Sequence, residues 1–205
     1  MTSSSPDPKL ENTLVHAIVH SNLPPAGKTF ARIRQEVGTV SSAGYETTAS
    51  ALRLIFFHVF TNPTILNRLR EELDSAAAAA ATNSTTATST TSPPNPGHAL
   101  PLKTLQQLPY LTAVLTEGLR LSPAIATRAA RISDNDLLYG DWRIPAGTPV
   151  GMTVLLMHTD EALYPDPMRF DPGRWMMGDS EVGEGRGRRW FAPFSRGTRV
   201  CLGMQ

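Results

Sequence analysis

Phe194-Ser195-Arg196-Gly197-Thr198-Arg199-Val200-Cys201-Leu202-Gly203 surrounds the chain's single cysteine with a spaced set of glycines and arginines. The thiolate is the form of cysteine that binds metals, and as an axial ligand to haem iron it pushes electron density onto the metal. Gly197 and Gly203 let the backbone approach a flat macrocycle closely, and Arg199 supplies a cation suited to a propionate carboxylate. A cysteine judged alone is ordinarily a small buried hydrophobe; here the surroundings reverse that reading. With each fixed residue falling at about one position in twenty, four such positions arise by accident in about one chain of this length per thousand.

Outward from that loop the bulk numbers are ordinary. The 205 residues are 40% hydrophobic and 18% charged, a globular composition with enough material for one good core. A formal net charge of +1 gives no basic stripe, which argues against a nucleic-acid partner. One cysteine excludes an internal disulfide, and no C-x-x-C spacing points to zinc or iron-sulfur ligation. No apolar run approaches the ~20 residues of a membrane-spanning helix; the best stretch, residues 49–60, contains Arg53 and His58. Residues 1–10 are polar and lack a signal-peptide core.

Along the chain the patterns are mainly helical. Leu10, Leu14, Ile18 and Val19 predict a helix over residues 9–22, closed by Pro24, Pro25 and Gly27. A long helix is expected over residues 29–60, although Gly38, Ser41, Ser42, Gly44, Thr47 and Thr48 are poor helix formers. Such a local conflict marks a functional site. Asn62-Pro63 restarts a helix whose stripe is Leu66, Leu69 and Leu73, set against a polar face of Arg68, Arg70, Glu71 and Glu72. Residues 76–97 are low-complexity and read as a flexible surface insertion, with the alanines able to extend the preceding helix. Pro109 opens a helix to residue 121. Residues 131–152 suit short strands with turns at Tyr139-Gly140-Asp141 and Pro145-Ala146-Gly147, followed by a short helix over 154–158. The prolines at 165, 167 and 172 predict an irregular coil over 164–175, and residues 178–189 read as an exposed glycine-rich loop. The expected class is mainly α with a small β component: a helical part over 1–75, the insertion over 76–100, and a third part over 101–205, all within one domain.

Two further constellations carry chemistry. Ala43-Gly44-Tyr45-Glu46-Thr47-Thr48 sets an acid beside a hydroxyl on a helix, a pair able to deliver protons to bound oxygen. Gly44 leaves room for a small ligand, and local loosening of the helix would orient the Thr47 hydroxyl. The plainer alternative is a weak spot where a neighbouring helix packs closely. Glu117-Gly118-Leu119-Arg120 places an acid and a base three apart on one helical face. Two fixed positions alone occur by chance in about half of chains this long, so their order between the other two motifs is what counts. Trp142, Trp175 and Trp190 are assigned to packing, and His158, beside Asp160, to a structural or exposed role.

In this order the three motifs, A-G-x-[DE]-T-T, E-x-x-R and F-x-x-G-x-R-x-C-x-G, resemble the cytochrome P-450 family, with a fourth element at Phe170-Asp171-Pro172-Gly173-Arg174-Trp175 that looks like the family's meander. The resemblance runs from residue 43 to residue 203. Leu108-Pro109-Tyr110-Leu111, Trp142-x-Ile-Pro-Ala-Gly and Pro193-Phe194-Ser195-Arg196-Gly197 look most like fungal members, including the trichodiene oxygenase group. It implies that Cys201 is the proximal ligand and that Glu46 and Thr47 form the distal proton relay. It also implies that Arg199 pairs a propionate and that Arg174 completes the Glu117–Arg120 ion pair. Gly173 stands where the family usually has Glu. The family's strand arginine for a propionate corresponds to Arg128 or Arg131, with Arg131 preferred by spacing; the alternative is two solvated surface arginines.

The activity so implied is haem-dependent monooxygenation of a small hydrophobic organic substrate by O2, in fungal secondary or xenobiotic metabolism, with an NADPH-dependent reductase as electron donor. A haem-thiolate isomerase, dehydratase or peroxygenase is one alternative, and a truncated non-catalytic piece is another. The chain resembles about the C-terminal half of such an enzyme. The localisation of these residues is left open by the sequence; the resemblance implies that full-length relatives are usually anchored in the endoplasmic reticulum membrane, by a segment that these residues do not include. The expectation is that this piece alone binds haem poorly and turns over nothing.

Overall fold

Thr13 opens the first helix, α1 (Leu14–His20), by accepting a hydrogen bond from the His16 amide at 3.1 Å. A 3₁₀ turn at Pro25–Lys28 follows, then the 32-residue α2 (Phe30–Thr61). The computed structural model describes residues 11–83, 100–122, 127, 130–176 and 189–204, and divides into two compact units, Met1–Ala49 and Ser50–Gln205. The division falls inside α2. Against the expected loosening, α2 runs unbroken through Gly38, Gly44 and Thr47. Thr47 donates its hydroxyl to the Ala43 carbonyl at 2.7 Å, and the length of a cooperative helix carries its weak formers.

In the second unit, Asn62-Pro63 breaks the chain as expected. The Asn62 side-chain oxygen accepts from the amides of Thr64 (3.1 Å) and Ile65 (3.3 Å), which starts α3 (Pro63–Asn83). The alanines from 76 onward prolong α3, so this part of the insertion is helix and not flexible coil; residues 84–99 lie outside the described residues. A single turn, α4 (Leu102–Leu105), precedes α5 (Pro109–Leu121).

The second unit is organised around α5. It buries Tyr110, Ala113, Val114, Glu117, Gly118, Arg120 and Leu121, of which Tyr110, Val114 and Leu121 join Ile55 and Val59 of α2, Ile65 of α3 and Phe170 in one core. Two contacts fix its position. Glu72 of α3, expected on a solvated face, instead accepts from the amides of Tyr110 (2.7 Å) and Leu111 (2.8 Å). A carboxylate thereby satisfies orphan donors at the positive end of the helix dipole. Beside it, the Arg68 guanidinium sits 4.2 Å from the centre of the Tyr110 ring. The second contact is Gly118, whose absent side chain admits Ile55: a Cβ there would lie 2.7 Å from Ile55 Cδ1 and closer still to Cγ1.

Beyond α5, β1 (Leu137–Tyr139) and β2 (Trp142–Ile144) form an antiparallel hairpin through Gly140, whose φ of 57° suits the two-residue turn. Asp136 braces it, accepting from Arg143 Nε at 2.6 Å and the Ala146 amide at 2.8 Å. Trp142, assigned to packing, is instead 76% exposed, since both strands lie open at the surface among the described residues. The helix α6 (Val154–His158) lies where expected. The proline-rich stretch is less irregular than its composition predicts. Pro172–Trp175 is a 3₁₀ turn, because a proline fits the first position of a helix and Asp171 caps it by accepting from the Gly173 amide at 2.9 Å.

Gly118→Ala sets a propensity gain of about 1 kcal/mol against an overpacking cost of typically 1–3 kcal/mol or more. Because the clash falls on Cγ1 as well as on the terminal Cδ1 of Ile55, a side chain itself buried in the core, the variant is expected to be destabilised, by about 1–2 kcal/mol net. Denaturant unfolding reads this directly, and equal or greater stability would show that the α2–α5 contact is looser than described.

Candidate functional site

Glu117 is the centre of the second unit's polar chemistry, with 0% of the residue exposed. Its Oε2 accepts from Arg120 Nε at 2.8 Å and Trp175 Nε1 at 2.9 Å. Its Oε1 accepts from Arg120 Nη2 at 2.8 Å, the Asp171 amide at 3.0 Å and Arg174 Nε at 3.4 Å. The bidentate fork of Arg120 is the strong geometry for such a pair. The structure thus brings Glu117, Arg120 and Arg174 together. It adds Trp175, whose indole N–H completes the carboxylate's shell in place of the packing role expected of it.

Arg120, 1% exposed, donates onward to the carbonyls of His158 (Nη1, 2.6 Å) and Arg169 (Nη2, 3.3 Å). His158, 2% exposed, lies with its Nδ1 3.1 Å from the Arg120 carbonyl, while its Nε2 takes the Ala192 amide at 3.1 Å. Since an amide only donates, Nε2 is the bare nitrogen and Nδ1 carries the proton. Phe191 stacks on this imidazole at 5.6 Å, and Tyr164 meets it edge-on at 6.3 Å. Burial pushes the Tyr164 hydroxyl up to about 12, against the lowering pull of Arg120.

From Ala192 the chain enters the cysteine loop. Ser195 (φ 65°) and Gly197 (φ 78°) adopt left-handed backbone; at Gly197 a side chain would be strained. A 3₁₀ turn at Gly197–Arg199 follows, and the Cys201 amide closes the loop on the Phe194 carbonyl at 2.9 Å. Cys201 is exposed, and a Cβ added at Gly203 would sit 3.9 Å from its sulfur. Arg199 is exposed on the same loop, and nothing lies within 4 Å of a Cβ built at Gly197. An accessible soft donor, bare backbone beside it and a nearby cation fit a thiolate-ligated macrocycle carrying carboxylates.

The remaining candidates stand elsewhere. Glu46 is exposed and Thr47 half-buried in the first unit. At Gly44 a Cβ would meet nothing within 4 Å, so neither the ligand space nor the close helix contact is delimited among the described residues of that unit. Arg131 forms an isolated antiparallel bridge with Val150 and is exposed, its Nη1 3.2 Å from the Ala130 carbonyl. Arg128 lies outside the described residues. The first unit also has an apolar groove of about 370 Å³ between α1 and α2, lined by Leu14, Ile18, Leu23 and Val40 and flanked by the Arg32–Glu36 ion pair.

Comparison with known proteins agrees with these motifs, since the Cytochrome P-450 family model matches residues 9–205. The chain belongs to the cytochrome P-450 family. Among curated members, the N-acetyltryptophan 6-hydroxylase ivoC of Emericella nidulans is 38% identical over 94% of this chain and 35% of its own length. The tryptophan 6-hydroxylase fscE of Fusarium equiseti is 37% identical over 95% of this chain and 34% of its own length. For the cytochrome P-450 monooxygenase TRI4 of Trichoderma arundinaceum the figures are 37%, 94% and 34%. The chain spans about a third of the length of these relatives. Like other cytochromes P-450 it is mostly helical with a small sheet. Among the described residues no single helix is long and apolar enough to cross a membrane.

Sequence reasoning missed Glu72, Trp175 and His158 as members of this arrangement. Trp175 had a signal, since it follows Arg174 within the one-turn element that caps Glu117. Glu72 and His158 act through backbone groups 38 and 34 residues away, which no local pattern encodes.

Burial lowers the pKa of His158, and also that of His58, which stacks on Phe170 at 4.5 Å; Glu117 raises both by less. In the unfolded chain each titrates at about 6.5, so just below that pH the unfolded state binds more protons than the folded one. Stability is therefore full above about pH 6.5 and declines as the pH falls, until the lowered folded-state values are passed. Unfolding midpoints are expected to agree between about pH 7 and 8 and to drop at about pH 5.5, with a smaller drop in His158→Gln. A midpoint unchanged at the lower pH would contradict the desolvation of buried His158 and half-buried His58.

Proposed function

We propose that this chain is the haem-ligating portion of a monooxygenase that inserts one atom of O2 into a small organic substrate of fungal secondary metabolism. The observation that carries the reading is the exposed sulfur of Cys201 on a loop with bare glycine backbone beside it. Family membership and relatives named as hydroxylases and monooxygenases support it. Two of those names specify tryptophan or its acetylated form, which favours an aromatic substrate with an accessible ring C–H. The balance is substrate, O2, two electrons and two protons giving hydroxylated product and water, with the electrons drawn from an NADPH-dependent reductase.

Haem, when bound, supplies the iron at which dioxygen is reduced and cleaved, and a thiolate ligand favours that cleavage. Cys201 Sγ would hold the iron, with Arg199 and Arg131 on the propionates and Phe194, Gly197 and Gly203 shaping the loop against the ring. Thr47 and Glu46 handle protons. The Thr47 hydroxyl keeps its proton on the Ala43 carbonyl and can turn it toward a bound acceptor, while the exposed Glu46 carboxylate takes replacement protons from water. Glu117, Arg120 and Arg174 touch no substrate in this scheme; they hold the scaffold that presents the loop.

The complete polypeptide bearing these residues, loaded with haem, is expected to give a red-shifted Soret band in its reduced carbonyl complex, lost in Cys201→Ala. Survival of that band in the variant would assign the iron to another ligand. Product formed without an electron donor would favour isomerase, dehydratase or peroxygenase chemistry at the same site.

A further inference from the structure

Three places in the fold hold chemistry that the proposed reaction leaves unused: the apolar groove of the first unit, the adjacent rings of His16 and His20 on α1, tilted at 39° with centroids 4.1 Å apart, and buried His158. Only the third is connected on both sides to groups with an assigned part in the site. His158 Nε2 receives the Ala192 amide at 3.1 Å, two residues before Phe194, whose carbonyl in turn receives the Cys201 amide at 2.9 Å. His158 Nδ1 meets the carbonyl of Arg120 at 3.1 Å, and Arg120 Nη1 returns a 2.6 Å bond to the carbonyl of His158. The two residues are thus locked reciprocally, and Arg120 is itself held bidentately by Glu117.

We propose that His158 is a positioning residue: as its Nδ1–H tautomer it couples the buried Glu117–Arg120 pair to the backbone from which the Cys201 loop departs. The role rests on the proposed haem-thiolate function for its purpose but not for its geometry. A covering of aromatic rings supports it. Phe191 stacks on the imidazole and Tyr164 closes its edge, which excludes water that would otherwise replace Nε2 as partner to the Ala192 amide. A ring nitrogen is also a demanding anchor. It needs a donor at the δ position and an acceptor at the ε position in one rigid plane, and no other neutral side chain supplies both. Asn offers a donor near the δ position and nothing at the ε position. Gln offers an oxygen near the ε position.

These two substitutions therefore separate anchoring of the loop from packing of the cluster. In the complete haem-loaded polypeptide, amide exchange at Ala192 is expected to quicken by about fivefold to tenfold in His158→Asn, the change that follows from losing one buried hydrogen bond. In His158→Gln it should stay within about twofold of the parent. The fraction of reduced carbonyl complex with the red-shifted band should fall in His158→Asn and recover in His158→Gln. Equal exchange in all three proteins overturns the proposal, as does quickened exchange with an unchanged band in His158→Asn. Should neither variant fold, the ¹⁵N spectrum of the parent decides: the Nδ1–H tautomer supports the role, and the Nε2–H tautomer or the doubly protonated ring overturns it. A parent with no red-shifted band overturns the haem-thiolate function instead, and Ala192 exchange then still judges His158.

Discussion

One carboxylate, sealed from water, organises the buried polar core among the described residues of the second unit. Taking Glu117 and Arg120 out of solvent costs several kcal/mol per ion, as an order of magnitude, and their mutual attraction offsets that only if the surrounding polar groups are matched. They are matched here from four directions: the fork of Arg120 on the same helix, Arg174 and Trp175 on the 3₁₀ turn, and the backbone at Asp171. The meander has almost no repetitive structure of its own. Its course is fixed because it must deliver three N–H groups to a single buried anion.

That requirement propagates. To bury Glu117, α5 has to lie under the rest of the unit, and Gly118 makes this feasible by letting Ile55 of α2 enter at close range. The opposite end of α5 is secured by Glu72. On the other side Arg120 reaches the carbonyls of His158 and Arg169, and His158 reaches Ala192. The segment that carries Cys201 is thus attached to the core by polar bonds of fixed direction, which specify position more tightly than apolar contact does. The ligating role proposed for Cys201 would draw on such a scaffold, since ligand placement has to be held to a fraction of an ångström. The sulfur itself is exposed among the described residues, on a loop whose conformation is set by Ser195 and Gly197 in left-handed backbone.

Much of this was legible in the residues. Pro63 and Pro109 announced two helix starts, the Gly140 and Gly147 turns located the hairpin region, and the glycine at 197 marked a turn in the Cys201 loop, where the backbone is left-handed. These signals are local: prolines, glycines and apolar periods act over a few residues. What stayed hidden was long-range. A glutamate on a polar helix face reads as solvated, and only the fold reveals that Glu72 lies against the start of α5. An indole reads as apolar bulk until its N–H is seen to face a carboxylate. The uninterrupted course of α2 was hidden for a different reason, since propensity sums understate what cooperative hydrogen bonding over a long helix can carry.

Replacing the buried anion by its neutral isostere tests this account most directly. Glu117→Gln keeps the shape of the side chain, but leaves Arg120 as a buried guanidinium without a counter-charge and sets an amide N–H₂ against donors. If the carboxylate is the constraint on which the unit depends, denaturant unfolding of the variant should show a loss of about 3–5 kcal/mol, with the Trp175 environment altered. A loss below about 1 kcal/mol, the range of a solvent-exposed ion pair, would contradict it.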